Sequence, residues 1–132
     1  MQKIFFTTFL ILLIHLCFAQ TQSELNQREH KNYTKVDSEL NSTYQKILKE
    51  YKSDTIFTKN LKVSQKLWVQ FRDAEMKMKY PDRESGYYGS VQPMCWSMYK
   101  EELIRERLKT LKVWLEGVEE GDVCNGSVRI KQ

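Results

Sequence analysis

Residues Tyr33 to Tyr51 read YTKVDSELNSTYQKILKEY, and this stretch decides the fold. Tyr33, Val36, Leu40, Tyr44, Ile47, Leu48 and Tyr51 recur at steps of three and four. On a helix of 3.6 residues per turn those positions share one face, and Lys, Glu, Gln and Ser fill the other. The spacing predicts a helix from Ser23 to about Lys52, preceded by a frayed polar segment, Gln20 to Gln27. Ser53-Asp54 breaks it, and Asp54 suits the N-cap of the next helix, because its short carboxylate can accept from an unpaired first-turn N–H.

The second helix carries Phe57, Leu61, Ser64, Leu67, Trp68, Phe71, Ala74 and Met78 as its apolar set and ends at Tyr80. Pro81 disfavours helical geometry in the residue before it. Residues Pro81 to Pro93 form a loop long enough for a helix–helix connection to be a candidate functional segment. A third helix starts near Met94, with Met98, Ile104, Leu108, Leu111 and Leu115 inward and Leu103 and Trp114 on the flanks. Gly117 is its C-cap. Strand-period segments are almost absent; only Ser127 to Lys131 alternates weakly. The expected fold is all-α, a small antiparallel three-helix bundle with a long loop between the second and third helices.

The first nineteen residues look like an export segment. Lys3 is followed by an apolar run from Ile4 to Leu16, then Cys17-Phe18-Ala19 with small residues at the positions that precede a cleavage. The run is shorter than the roughly 20 residues a membrane span needs. The expected organisation is a signal peptide over 1–19, a helical domain over 20–117 and a C-terminal tail over 118–132. An uncleaved N-terminal anchor is the alternative. Export implies a periplasmic or secreted protein, with no stable membrane span after cleavage. Two cysteines then remain, Cys95 and Cys124. An even pair in an oxidising compartment reads as a disulfide stapling the tail to the third helix. In chain-entropy terms that loop is worth about 3.5 kcal/mol.

Removal of Lys3 lowers the formal charge from +4 to +3, with both signs mixed along the chain. There is no clustered basic stripe, so no nucleic-acid partner is expected. His30 is the single histidine outside the export segment, and no Cys-x-x-Cys occurs, so neither a metal site nor a cofactor is expected. No nucleophile-elbow or phosphate-loop pattern is present. Asp37, Asp73 and Glu75 are the acids placed near apolar faces. Arg72, Arg105 and Arg107 can pair with them inside a bundle; paired acids in a cleft would instead suit glycan cleavage. Tyr87, Tyr88 and Trp96 flank the loop, where aromatic anchors favour protein contact.

Asp37-x-x-Leu40-Asn41-x-x-Tyr44, then Gln65-x-x-Trp68-x-x-Phe71-Arg72-Asp73-Ala74-Glu75, then Gly89-Ser90, Cys95 and Arg107-x-x-x-Leu111 resemble the LprI-like lysozyme-inhibitor domain family. The second motif is the specific one, and the resemblance spans roughly Leu25 to Leu115. It implies an exported helical bundle, usually disulfide-stapled, with lysozyme inhibition in a named member. The chain departs from the pattern in lacking the cysteines usual near the domain start, in having Met76 near another usual cysteine, and in having Ile104 where Thr is usual. The signature positions are Asp37, Leu40, Asn41, Tyr44, Gln65, Trp68, Phe71, Arg72, Asp73 and Arg107, of which Asp37, Asn41, Gln65, Trp68, Arg72, Asp73 and Arg107 are read as a buried polar lock between helices. The expected function is an exported envelope binding protein, a lysozyme inhibitor by resemblance and not an enzyme. The alternatives are an envelope adaptor contacting a protein through the 81–93 loop, and a glycan-cleaving enzyme using Asp73 or Glu75. An acidic run, Glu116, Glu119, Glu120 and Asp122, could attract basic lysozymes. The sequence leaves the oligomeric state open.

Overall fold

The computed structural model describes residues 2–131, with side chains from residue 21 onward. The expected export segment lies outside the residues whose side chains are described. Three helices follow in order: α1 (Gln2–Glu50), α2 (Thr55–Lys79) and α3 (Gln92–Glu116). Among the described residues the only strand-like pairing is a parallel bridge between Val118 and Ile130. No helix among the described residues is long and apolar enough to cross a membrane.

The core forms where the α1 stripe meets α3. Val36, Leu40, Ile47, Ile104, Leu108 and Leu111 are buried, and Leu61 of α2 joins them. Tyr33, Tyr44, Leu48 and Tyr51 pack around this cluster, so every apolar position read from the Tyr33–Tyr51 stretch reaches the core. Residues 21–27 are helical rather than frayed. Gln22 Nε2 donates to Asn26, and Asn26 Nδ2 donates to the Ser90 carbonyl, which ties α1 to the loop before α3. The break falls where expected: Asp54 Oδ1 accepts from Phe57 N at 2.9 Å. Pro93 lies in the first turn of α3, where its missing N–H costs nothing, so the helix begins two residues before Met94.

The expected inward face of α2 is only half right. Leu61 is buried, and Phe57 and Trp68 pack against the core. Leu67, Phe71 and Met78 are exposed, while Met76, not expected inside, is buried. The cause is geometric. α2 has two apolar arcs, one through Leu61, Trp68 and Met76 and one through Ile56, Val63, Leu67, Phe71 and Met78. Three-and-four spacing is satisfied by either. On α3, Met98 is likewise exposed, and Ser97 takes the buried position.

The tail is held without a disulfide. Cys95 and Cys124 are both free thiols, which corrects the expected staple. Cys95 sits at the start of α3, whereas the tail folds back on its end. Nineteen residues of helix from Cys95 to Trp114 advance about 28 Å, far beyond the roughly 7 Å that a disulfide tolerates between α-carbons. The tail is fixed instead by the carbonyls that a helix leaves unpaired in its last turn. Gly117 N donates to Val113 O, Tyr51 Oη donates to Trp114 O, and Arg129 Nη2 donates to Leu115 O. Val118 N donates to Arg129 O and Lys131 N to Val118 O. Gly117 is required twice over: its φ is +77°, and a Cβ there would sit 2.9 Å from the Arg129 carbonyl oxygen.

Candidate functional site

The signature residues of the second motif converge with residues of the other two helices. Arg72 of α2 reaches Asp73 at 2.7 Å and Asp37 of α1 at 3.8 Å. Asp37 accepts from Asn41 at 3.4 Å. The Arg72 guanidinium lies 5.4 Å from the centre of the Trp68 ring, and that of Arg107 lies 5.9 Å from it. Arg107 Nε donates to Gln65 Oε1, and Nη2 to Ser64 Oγ, both at 3.0 Å. Asp37, Asn41, Arg72, Trp68, Arg107 and Gln65 thus form a continuous polar chain across α1, α2 and α3, with the indole beneath two cations. Leu40 and Tyr44 belong to the core beside it, whereas Phe71 faces outward.

The acids weighed for catalysis have separate tasks. Asp73 is half-exposed and bound to Arg72, and Glu75 accepts from Tyr99 Oη at 3.2 Å. That contact and burial push the Tyr99 phenol up from its ordinary value, burial being the larger cause. Arg105 pairs with Glu101 one turn earlier on α3 rather than with Asp37, Asp73 or Glu75. His30 is exposed and leans on Tyr33. Among the described residues no group of three or more His, Cys, Asp or Glu could hold a metal ion.

The loop aromatics divide. Tyr88 Oη donates to Pro81 O at 2.8 Å and its ring meets Tyr80 edge-on, which packs the loop down. Trp96 meets Tyr33 edge-on, with Lys100 over both rings. Tyr87 alone of the three is exposed, beneath Arg83.

Two surface features were not foreseen. One is the outward arc of α2. Ile56, Val63, Leu67, Phe71 and Met78 line up along the helix at 53 to 75% exposure. At 100° per residue, Lys59, Lys66 and Lys77 fall together along one border of it. Periodicity assigned Leu67, Phe71 and Met78 to the core and left Ile56 and Val63 unread. The other feature is a groove of about 490 Å³ between α2 and α3, walled by Phe57, Leu61, Leu111 and Trp114 and lined at one side by Arg107. It arises because α2 meets α3 far less closely than α3 meets α1.

The family profile described as lysozyme inhibitor LprI matches residues 17–111. The chain belongs to the LprI lysozyme inhibitor family. The match takes in α2 whole and α3 as far as Leu111, and therefore the polar chain, the exposed arc and Arg107; the C-terminal tail lies beyond it. No curated protein and no solved structure matches the chain.

Proposed function

We propose that this LprI-family chain is an exported envelope protein that binds and inhibits lysozyme, and that the outward arc of α2 is its contact surface. The observation that carries the reading is the line of five large apolar side chains on α2 that the fold itself leaves uncovered. Aligned exposed apolar groups with a charged border are what a protein partner covers. Glycoside hydrolysis needs two carboxylates in the enzyme's cleft. The border of Lys59, Lys66 and Lys77 meets opposite charge there, even on a lysozyme whose overall charge is positive. Glu116, Glu120 and Asp122 at the far end of α3 are exposed and favour approach to a basic rim, while Glu119 is held by Lys131.

A lysozyme assay with the purified chain, at low and physiological salt, tests this. Inhibition is expected at both. Leu67→Asp with Phe71→Asp should abolish it while the helical signal stays, because both side chains are outside the core. Neutralising Glu116, Glu119, Glu120 and Asp122 should slow association at low salt only. Unchanged inhibition by the double aspartate variant would remove α2 from the contact. No effect on several lysozyme types would favour the adaptor reading, with Tyr87 as the exposed anchor.

A further inference from the structure

Arg107 differs from the arginines around it. Arg28, Arg72, Arg105 and Arg129 each hold a carboxylate. Arg83 lies out on the loop over Tyr87. Arg107 is half-buried, yet among the described residues no acid lies within ion-pair distance of it; its bonded partners are the neutral side chains of Gln65 and Ser64. Burial, with no compensating charge, pushes its guanidinium below the usual arginine value.

A half-buried cation that holds only neutral partners and the face of the Trp68 ring keeps donors free for an anion. The hydrogen bonds present show what that anion must look like. Gln65 engages Nε and Ser64 engages one Nη2 hydrogen, which fixes the plane of the guanidinium. The Nη1 pair and the second Nη2 hydrogen remain, and the end-on edge they form can donate to two carboxylate oxygens side by side. Arg107 lines the α2–α3 groove together with Phe57, Leu61, Leu111 and Trp114, and the rings of Phe57 and Trp114 stack at 6.0 Å. Its volume of about 490 Å³ is that of a small-molecule site. Asp54 also lines it, but its carboxylate already accepts from Phe57 N, and its charge would repel a second acid.

We propose that this groove binds a small monocarboxylate with an apolar or aromatic body, the carboxylate on Arg107 and the body against Phe57 and Trp114. The proposal stands independently of lysozyme binding.

Titration of the full chain with 2-naphthoate and with its neutral counterpart, 2-naphthalenemethanol, followed by NMR, tests it. The Arg107 Nε–H and Trp114 Nε1–H resonances should both move, and the carboxylate should bind at least about tenfold tighter than the alcohol. Arg107→Gln should remove that preference. Asn60→Asp places a second acid on the groove wall at an exposed position, and should weaken naphthoate more than the alcohol without disturbing the fold. Equal affinity for the two probes, or millimolar naphthoate that leaves Arg107 and Trp114 unmoved, would overturn the assignment.

Discussion

Replacing Tyr51 with Phe removes one oxygen atom and keeps the ring that packs on Phe57 at 4.7 Å. That oxygen joins three elements. It donates to the Trp114 carbonyl in the last turn of α3 at 2.9 Å and accepts from Arg129 N in the tail at 3.2 Å. Each such bond contributes about 1 kcal/mol net. The Arg129 amide is exposed and can turn to water, so its share is smaller; the Trp114 carbonyl is more sheltered. Together they give a loss of about 1.5 kcal/mol, or roughly tenfold in the local opening equilibrium. The loss should fall on the tail, because Val118 N and Lys131 N make the two backbone bonds that close it. Amide hydrogen exchange reads this directly: Val118 and Lys131 should exchange about tenfold faster, with amides at Leu40, Ile47 and Ile104 unchanged. Unaltered protection at Val118 and Lys131 would refute the reasoning. So would an equal loss at every helical amide, since the hydroxyl would then support the core as a whole.

Two methionines two positions apart test which side of α2 faces inward. Met76→Ala should cost about 2–4 kcal/mol in urea unfolding, whereas Met78→Ala should stay within about 0.5 kcal/mol; equal costs would contradict the orientation of the helix. The Glu39–Lys112 pair links α1 to α3 at 2.8 Å, and the hydrogen bond from Lys112 holds the Glu39 carboxyl below its ordinary 4.5. A depressed carboxyl stabilises the fold above its unfolded value and loses that contribution as pH falls through its folded value. At low salt, the urea midpoint of the parent chain should therefore drop more steeply below about pH 4.5 than that of Glu39→Gln; parallel acid limbs would show that the pair contributes nothing.

How far the sequence carries depends on how many faces of an element are apolar. From residue 21 onward α1 has one apolar stripe, and every apolar position of it was readable, although buried Thr43 was not. Asp54, Pro81 and Gly117 marked the helix ends through local chemistry that needs no tertiary context. α2 has two apolar arcs, and spacing alone cannot say which one the core takes; the outward arc became visible only once α1 and α3 were seen to pack together. The signature residues could be singled out in the sequence, and six of them meet in one polar chain, but Arg107's lack of an acid was not readable, because Arg105 and Arg107 look alike in sequence and only one lines the α2–α3 groove. The cysteine pair failed for a related reason. Pairing by count takes no account of the length of helix that separates the two thiols.

The core also has a kinetic meaning. Its main contacts join α1 to α3, while α2, the helix between them in sequence, adds to it Leu61, with Phe57 and Trp68 packed against it. The chain must therefore bring its first and last helices together across the full length of the middle one before most of its apolar burial is gained. Contacts that distant in sequence are slow to form for an all-helical protein of this size. α2 is packed least closely of the three, so it is the helix expected to dock last and to open first, which amide exchange slower over α1 and α3 than over α2 would show. The arc proposed to meet lysozyme and one wall of the Arg107 groove would then ride on the most readily released helix, so a bound partner or ligand should slow its release.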